Sequence, residues 1–480
     1  MTTVARHRSF GAEGASMDLP TPTHDFSGLR VHMIGIGGAG MSGAAAMLLK
    51  LGAVVSGSDA EGFDGVGTLV EAGAKVSIGH RAAQLHPKTA LVVVSAAIPE
   101  SNPELVVTRR REISVLKYAE LLGVLMKHRT GVAVAGTHGK STTTAMCAHL
   151  FREGGLDPSF IFGASSRQLG GGSAVGSGPH LIVESCEFDR SFLHLQPRSA
   201  AILNVEADHL DCYGSFDEIV EAFAQFASHV EPGGLVVCNA DDRWSVRVAE
   251  SAAARVETFG FCEVADWRAV NVKHDRGRYS FDVVLGDSVL MSTRLAIPGR
   301  YNIANALAAI ALAHHAGIDS DVLALGLTTF SGIERRMSWR GEGRGVTVVD
   351  DYAHHPTAVR LTIEAARCRY KPKRTWVVFQ PHQYARTCRF MQEFAQSLGE
   401  ADEVIISDIY AAREPGAAAA AGAEELVSRI CRNGGRATYL STLAAAADHV
   451  ARNVLAGDLV VTMGAGDVWK VADELVARIC

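Results

Sequence analysis

The chain has 480 residues, 48% of them hydrophobic and 20% charged, and its formal net charge is -6 at pH 7. This length predicts about three domains of roughly 150 residues each, and the absence of a strongly basic region argues against a nucleic-acid binder and for small-molecule partners. The nine cysteines are scattered without a C-x-x-C pair, which argues against a disulfide framework or a zinc ribbon and favours a reducing, cytoplasmic location.

The N-terminal part of the chain predicts a leader followed by a nucleotide-binding module. Residues 1–28 are rich in Gly, Ser, Thr, Pro and Asp and lack the apolar core of a signal peptide, so we expect a disordered leader. A strand of residues 30–34 then meets Gly35, Gly37 and Gly40, a small-residue helix follows, and a second strand ends at Asp59. This is the fingerprint of a dinucleotide-binding βαβ unit. It favours NAD when taken alone, but the same geometry holds any diphosphate. We therefore predict a doubly wound module over residues 29–119.

The second module, predicted over residues 120–330, opens with a phosphate loop. A strand of residues 132–135 runs into a loop of residues 136–141, and a helical sequence follows. Gly136 and Gly139 let backbone N–H groups approach a phosphate, Lys140 adds a positive charge, and the Ser141 hydroxyl can ligate Mg²⁺. The full signature requires glycine at the place of Val134, so the match is partial.

Acidic groups follow the next two predicted strands of this module. Glu184 follows residues 181–183, and Asp208 and His209 come soon after residues 200–205. Because the carboxyl ends of parallel strands meet at one edge of a sheet, these groups should lie beside the phosphate loop and form a Mg²⁺ site. His209 is either a ligand of this Mg²⁺ or a residue that lies next to the ligands without binding the ion. Further on, Asn302 and Asn305 either bind a base or cap a buried helix.

The third module, predicted over residues 331–480, repeats one pattern four times. Apolar runs at residues 346–349, 375–379, 403–406 and 458–463 are each followed by polar residues. Such uninterrupted runs are typical of strands buried on both faces. Two histidines, a tyrosine and an arginine at neighbouring strand ends indicate a site. The alanine-rich residues 417–421 are predicted to form a loop before a helix at Glu424.

Five segments in this order resemble the Mur ligase family: residues 35–43, residues 136–141, residues 208–211, residues 350–356 and the run Phe379-Gln380-Pro381-His382. The resemblance implies an α/β protein with an N-terminal Rossmann-like UDP-binding domain, a central P-loop ATPase domain and a C-terminal Rossmann-like domain. It implies an ATP-dependent ligase that joins L-alanine to the lactyl carboxylate of UDP-N-acetylmuramate through an acyl phosphate, with Mg²⁺ or Mn²⁺. The alternative within the family is a recycling ligase that joins a tripeptide to the same sugar nucleotide.

The resemblance also implies a role for individual residues. The UDP-sugar is assigned to Gly37, Gly38, Ala39, Gly40, Asp59, His80 and Ser95. ATP is assigned to Gly136, Thr137, His138, Gly139, Lys140, Ser141, Thr142, Asn302, Asn305 and Arg336. The metal is assigned to Ser141, Glu184 and His209, and the amino acid to Tyr352, His354 and Arg386. The implied catalytic set is Lys140, Glu184, His209, His354 and Arg386.

The chain also departs from the family pattern. Gln383 stands where many relatives have arginine, Tyr301 where histidine is usual, and Cys186 where an acid is usual. Two other classes of protein therefore stay open: an NAD-dependent dehydrogenase built on the first fingerprint, and a sensor that binds the UDP-sugar without turnover. In each case we expect no nucleic-acid or membrane partner, and a monomer or a homodimer.

Overall fold

The computed structural model describes residues 26–63, 65–209, 212–412, 414 and 419–479. These residues form two compact units, one of residues 26–37 and 47–117 and one of residues 38–46 and 118–479. The first unit holds a five-stranded sheet, and the second holds a ten-stranded and a six-stranded sheet. The predicted α/β fold with three sheet-containing domains is confirmed.

The sheet of the first unit is parallel, with the order β3-β2-β1-β4-β5. Its strands are β1 (Arg30–Ile34), β2 (Val54–Asp59), β3 (Lys75–Ile78), β4 (Leu91–Val94) and β5 (Ser114–Lys117). The helices of this part of the chain are α1 (Ala39–Lys50), α2 (Val66–Glu71) and α3 (Pro103–Arg110). The strand order reverses between β1 and β4, and ligands of open parallel sheets bind beyond the carboxyl ends of the strands at such a point.

Packing in the first unit begins earlier than the sequence predicts. Phe26 is only 7% exposed, and the N–H of Gly28 donates to the carbonyl of Gly52 at 2.8 Å. The predicted leader of residues 1–28 is therefore wrong for residues 26–28. Residues 1–25 lie outside the described residues.

The ten-stranded sheet has the order β15-β14-β13-β12-β11-β10-β6-β9-β7-β8. Its strands are β6 (Thr130–Ala135), β7 (Ser159–Ile161), β8 (Ser173–Ala174), β9 (His180–Glu184), β10 (Ser199–Ile202), β11 (Leu235–Asn239), β12 (Arg255–Gly260), β13 (Trp267–Asp275), β14 (Arg278–Leu285) and β15 (Ser288–Arg294). The helices are α4 (Tyr118–Met126), α5 (Lys140–Glu153), α6 (Phe216–Ser228), α7 (Arg243–Ala249), α8 (Tyr301–His315) and α9 (Ser320–Thr329). Because β6 lies between β9 and β10 in a parallel arrangement, the segments that follow these three strands leave the sheet at the same edge.

The core of this sheet explains why the phosphate loop has a rigid support. Helices α5 and α8 pack together, and their apolar residues belong to one buried cluster with residues of β6, β9, β10 and β11. In α8 every residue from 305 to 313 is buried, since the sequence there is nearly all alanine, leucine and isoleucine. A helix that is apolar on all sides is typical of a protein interior.

The six-stranded sheet has the order β16-β17-β21-β18-β19-β20, with only β16 antiparallel among the described strands. Its strands are β16 (Ser338–Gly343), β17 (Val346–Asp351), β18 (Arg374–Phe379), β19 (Glu403–Ile406), β20 (Ala437–Tyr439) and β21 (Asp458–Met463). The helices are α10 (Pro356–Tyr370), α11 (Tyr384–Arg389), α12 (Met391–Leu398), α13 (Ala419–Arg432), α14 (Leu443–Asn453) and α15 (Trp469–Ile479).

Three features of this part differ from the sequence predictions or were missed by them. The four predicted strands are present, but β16 and β20 are additional edge strands that lack a long apolar run. Helix α13 begins at Ala419, so the predicted loop is wrong at the end of the alanine run, because alanine has the highest helix propensity. Residues 417 and 418 lie outside the described residues. None of the described helices has both the length and the apolar character needed to cross a bilayer.

Candidate active site

The phosphate loop joins β6 to the N-terminus of α5. Gly136 has a φ of 141°, and Gly139, which precedes the helix, has a φ of 86°. A Cβ built on Gly139 would also lie 2.6 Å from Oδ1 of Asn305 on α8. Only glycine avoids both the backbone strain and the clash. The loop therefore closes onto a helix N-terminus, where backbone N–H groups and the helix dipole favour an anion.

Lys140 is held at the mouth of this loop by an acidic partner. Its Nζ donates to the carbonyls of Gly136 at 2.6 Å and Thr137 at 3.2 Å, and to Oε1 of Glu187 at 3.1 Å. The side chains of Lys140 and Glu187 are 11% and 3% exposed. Burial alone lowers the pKa of Lys140, but the negative charges of Glu187 and Glu184 raise it above its usual value. Lys140 is therefore positively charged at physiological pH.

A hydroxyl, a carboxylate and an imidazole provide candidate metal ligands. Ser141 Oγ donates to Glu184 Oε1 at 3.0 Å, and the N–H of Gly163 donates to the other oxygen at 2.6 Å. His209 has its Nε2 3.9 Å from a Glu187 oxygen, and its buried Nδ1 has no hydrogen-bond partner within the described ranges. The Ser141 hydroxyl, the Glu184 carboxylate and the unpartnered nitrogen of His209 offer oxygen and nitrogen donors, which suits Mg²⁺ with water or Mn²⁺.

Asp208 connects this group to the C-terminal sheet. It accepts from Nε and Nη2 of Arg386 on α11 at 3.2 and 2.7 Å, and both side chains are less than one tenth exposed. Burial raises the pKa of Asp208, but His209 and Arg386 lower it well below its usual value. Asp208 is thus a carboxylate paired with a buried guanidinium.

His354 and its aromatic neighbours form the third part of the site. The Nδ1 of His354 lies 2.9 Å from the carbonyl of Tyr352, and because a carbonyl only accepts, Nδ1 carries the proton. The ring also packs edge-on against Tyr352 and His382, with centroids 5.2 and 5.8 Å apart. Arg386 Nη1 lies 3.2 Å from Nδ1 of His382. Burial and the charge of Arg386 lower the pKa of His354 well below its ordinary value, so its Nε2 carries a lone pair.

Two predicted ATP residues lie near the loop, and a third lies with the amino-acid group. Asn305 contacts the loop at Gly139 and donates to Oδ1 of Asn302 at 2.9 Å, while Asn302 donates to the carbonyl of Pro298 at 2.6 Å. Arg336 has its guanidinium 5.2 Å from the ring centroid of Tyr352. The two asparagines thus order the start of α8, and Arg336 groups with the residues predicted to hold the amino acid.

Three residues depart from the family pattern, and their environments differ. Burial raises the pKa of the Cys186 thiol to about 12, so it stays neutral and does not replace the negative charge of an acid. Gln383 is buried, has a φ of 69° and immediately precedes α11. Tyr301 is the first residue of α8, and burial raises the pKa of its hydroxyl.

In the first unit, the predicted UDP-sugar residues Gly37, Asp59 and Ser95 lie at the carboxyl edge of the sheet. The N–H of Gly37 donates to Oδ2 of Asp59 at 2.8 Å, which joins the glycine-rich turn to the end of β2. A Cβ on Gly35 would lie 2.9 Å from Cβ of Ser95, so the turn also abuts the residue that follows β4. Gly38, Ala39 and Gly40 group with the second unit, where a Cβ on Gly40 would clash with the ring of Tyr118. The side chain of Ala39 is not described.

A buried carboxylate that the sequence did not single out supports the predicted residue His80. Glu104 has no exposed surface, and it accepts from Ser58 Oγ at 2.6 Å and from the N–H of Arg81 at 2.9 Å. Ser58 Oγ also lies 2.9 Å from Nδ1 of His80, and His32 Nε2 lies 2.9 Å from Glu104. The sequence Asn102-Pro103-Glu104 at the start of α3 was the available signal for this carboxylate, but such a run predicts only where a helix begins.

Sequence reasoning also missed a cluster of His138, Glu206 and His355. Oε2 of Glu206 lies 3.2 Å from Nε2 of His138 and 3.7 Å from Nδ1 of His355, and it accepts from Thr357 Oγ1 at 2.9 Å. His138 and His355 lie within motifs and Glu206 lies two residues before one, but no sequence spacing shows that the three meet.

Comparison with protein families matches three segments of the chain. Residues 30–130 match the model described as Mur ligase family, catalytic domain, and residues 134–313 match the Mur ligase middle domain. Residues 335–466 match the model described as Mur ligase, glutamate ligase domain.

Individual relatives cover nearly the whole chain. A UDP-N-acetylmuramate–L-alanine ligase from Clostridium acetobutylicum is 39% identical over 94% of this chain and 98% of the relative. The crystal structure of UDP-N-acetylmuramate-alanine ligase MurC from Thermotoga maritima matches with a TM-score of 0.79 and 27% identity, over 94% of this chain and 99% of that chain. A murein peptide ligase from Psychrobacter arcticus matches with a TM-score of 0.69 and 25% identity, over 94% and 99% of the two chains.

Proposed function

Because the chain belongs to the Mur ligase family, we propose that it is the ATP-dependent ligase that joins L-alanine to the lactyl carboxylate of UDP-N-acetylmuramate. The products are UDP-N-acetylmuramoyl-L-alanine, ADP and phosphate, and the reaction belongs to peptidoglycan precursor synthesis. Relatives named for this reaction are 39–40% identical over nearly the full chain. Among solved structures, the alanine ligase matches with a TM-score of 0.79 and the murein peptide ligase with a TM-score of 0.69. The L-alanine ligase is therefore favoured over the tripeptide ligase.

One observation carries this proposal: a continuous chain of contacts joins the phosphate loop to the group around His354. Lys140 contacts Glu187, which contacts His209; the neighbouring Asp208 pairs with Arg386, which contacts His382 beside His354. A reaction that passes a phosphoryl group from ATP to a carboxylate and then brings in an amine needs both groups in one site. A dehydrogenase or a sensor has no use for such a chain.

We assign the first half-reaction to the phosphate loop. The lactyl carboxylate attacks the γ-phosphorus of ATP, ADP leaves, and an acyl phosphate forms. Both reactants are anions, so Lys140, the backbone N–H groups of residues 136–142 and the N-terminus of α5 lower the repulsion between them. Glu187 keeps Lys140 charged and oriented toward the loop before ATP arrives. Asn302 and Asn305 hold the start of α8 against the loop on the nucleotide side.

We assign the metal to Ser141, Glu184 and His209, whose hydroxyl, carboxylate and unpartnered imidazole nitrogen are groups that can ligate a divalent cation such as Mg²⁺. When bound, such an ion neutralises phosphate charge. The neutral thiol of Cys186 leaves Glu184 and Glu187 as the nearby carboxylates of this segment.

We assign the second half-reaction to Tyr352, His354 and Arg386. The amine of L-alanine attacks the acyl carbon, and the tetrahedral intermediate collapses with loss of phosphate. Nδ1 of His354 donates its proton to a carbonyl, and the lowered pKa keeps the ring neutral at neutral pH, so Nε2 carries a lone pair. Nε2 can therefore accept the proton that the ammonium group of the amino acid loses. The guanidinium of Arg386 supplies positive charge for the carboxylate of the incoming amino acid.

The remaining assignments concern the first substrate and the location. We assign the UDP-sugar to the glycine-rich turn of residues 37–40 with Asp59, His80 and Ser95, where Asp59 already orients the N–H of Gly37.

ATP and UDP-linked sugars are cytoplasmic metabolites, and the eight described cysteines are all free thiols, which agrees with a reducing compartment. We therefore propose a cytoplasmic enzyme.

The proposal is tested by measuring phosphate release from ATP and Mg²⁺ with UDP-N-acetylmuramate and L-alanine, added singly and together. We expect release only when both are present, with formation of the amide. Lys140→Ala should lower the rate at least about 10²–10³-fold, while Lys470→Ala, which removes a largely exposed lysine of α15, should not change it. Phosphate release that requires the tripeptide in place of L-alanine would identify the recycling ligase. Full activity of Lys140→Ala would refute the assigned site.

A further inference from the structure

We propose that His138, Glu206 and His355 form a site for one transition-metal ion of the Zn²⁺ class. The site lies where the phosphate loop meets the start of α10. It shares no residue with the group assigned to Mg²⁺, which consists of Ser141, Glu184 and His209.

The ligand atoms already have the spacing that such an ion needs. Nε2 of His138 and Nδ1 of His355 lie 3.2 and 3.7 Å from the same oxygen of Glu206, and one ligand atom from each residue lies within 4.8 Å of the others. With Zn–N and Zn–O bonds of about 2.0–2.2 Å in a tetrahedron, ligand atoms are about 3.4 Å apart. Binding therefore requires shifts of well under 1 Å in two of the three separations.

His355 is the second, independent sign of a ligand. The residue is 5% exposed, and neither of its ring nitrogens has a hydrogen-bond partner among the described residues. Buried polar atoms without a partner are rare, because each loses its hydrogen bonds to water. The ring is held edge-on by Phe390 at a centroid distance of 5.0 Å, and its Nδ1 points toward the Glu206 carboxylate.

The donor set decides the kind of ion. Two imidazoles and one carboxylate are characteristic of Zn²⁺ sites with an open fourth position, whereas Mg²⁺ takes mainly oxygen ligands. Glu206 is ionised, since its hydrogen bonds with His138 and Thr357 lower its pKa to about 2 despite burial. Burial and His138 lower the pKa of His355 to about 4, so its ring is neutral and can ligate at pH 7.

The surrounding residues support the same role. Thr357 Oγ1 donates to the ligating oxygen of Glu206 at 2.9 Å, and the N–H of Glu206 donates to Thr137 Oγ1 at 2.9 Å. The backbone of His138 is fixed through Asn204, which accepts from its N–H at 2.7 Å and donates to its carbonyl at 3.1 Å. Partners of this kind orient metal ligands.

The site has an entry path and a consequence. The side chains of His138 and Glu206 are 23% and 35% exposed, so an ion reaches the cluster from that side. A bound ion would tie the phosphate loop to α10 of the C-terminal sheet. We therefore expect Zn²⁺ added in the presence of excess Mg²⁺ to slow turnover.

The experiment is a titration of the full chain with Co²⁺, after removal of metals and with Mg²⁺ at saturation to fill the other group. We expect one Co²⁺ per chain with the strong visible absorption of a four-coordinate ion, displaced by Zn²⁺. His355→Asn and Glu206→Gln should bind Co²⁺ at least about tenfold more weakly. His274→Asn is the matched control, because His274 lies 3.7 Å from the thiol of Cys368 and could also attract such an ion. It should leave the titration unchanged.

The folding of each variant is checked by its thermal unfolding in the presence of a chelator. As a measurement that needs no variant, X-ray absorption at the zinc edge of the wild-type protein should report two imidazoles and oxygen ligands. Sulfur ligands, a single imidazole, or equal Co²⁺ affinity in all variants would overturn the proposal. A wild-type protein that binds no Co²⁺ would do so as well, and would leave the cluster as a hydrogen-bonded contact between the loop and α10.

Discussion

The buried pair of Asp208 and Arg386 should be the strongest single contact between the segment after β10 and α11. Replacing Arg386 with methionine leaves the Asp208 carboxylate buried without its cation. Replacing Asp208 with asparagine keeps an oxygen for the N–H of His209, which Oδ1 now accepts at 2.8 Å, but removes the charge. The double variant Asp208→Asn/Arg386→Met removes both charges at once.

The expected magnitude follows from burial and geometry. Two hydrogen bonds of 3.2 and 2.7 Å join side chains that are 9% and 6% exposed. Removing one partner of such a pair costs about 3–5 kcal/mol, whereas removing both is close to neutral. The coupling energy of the double-mutant cycle should therefore reach at least about 2 kcal/mol.

Native-state hydrogen exchange of the α11 amides measures this cost locally, which avoids assuming two-state unfolding in a chain with several sheets. A loss of about 3–5 kcal/mol corresponds to exchange faster by about 10²- to 10³·⁷-fold, unless complete opening limits it. The exposed pair of Arg190 and Glu218, 3.3 Å apart and 44% exposed on both sides, is the control and should show a coupling below about 1 kcal/mol.

The pH dependence provides a second check with a definite sign. The pKa of Asp208 is lowered in the folded protein, so its contribution to stability is complete above the unfolded value of about 3.9 and is lost as the pH falls through the folded value. The coupling should stay constant from neutral pH down to about pH 4. A coupling no larger than that of the exposed control, or one lost between pH 7 and 5, would refute this reasoning.

Three further outcomes follow from single contacts. Gly139→Ala should weaken ATP binding at least about tenfold in equilibrium titrations, and Asn305→Ala should not restore it, because the φ of 86° remains strained for alanine. Gly40→Ala should lower stability by about 1–3 kcal/mol through its clash with Tyr118, and thermal unfolding should show a smaller cost in a Tyr118→Ala background. Burial lowers the pKa of His149, so the stability that its neutral form contributes is complete above about pH 6.5 and falls as the pH drops below that value. The urea midpoints at pH 7.5 and pH 5 should therefore differ less in His149→Gln than in the wild-type protein. An equal difference in the two proteins would contradict this.

Local signals in the sequence were sufficient for the phosphate loop and for the main strands. A strand, two glycines and a helix within residues 130–153 determine the loop by short-range geometry, and the structure has them at β6, Gly136, Gly139 and α5. Glu184 reaches Ser141 because parallel strands end at one edge of a sheet, a rule that needs no knowledge of packing. Short edge strands such as β16 and β20 were missed because they bury little apolar surface and so leave a weak pattern.

The sequence by itself determined which chemical groups the strand ends carry, because loops and strand ends are set by neighbours along the chain. Only the tertiary structure decided which of these groups meet. Lys140 and Glu187 are 47 residues apart, Arg386 and Asp208 are 178 apart, and Thr357 and Glu206 are 151 apart. Lys140 and Glu187 follow paired strands of one sheet, but the other two contacts depend on how two separate sheets pack. Hydrophobic periodicity records which face of an element is buried but not which partner covers it.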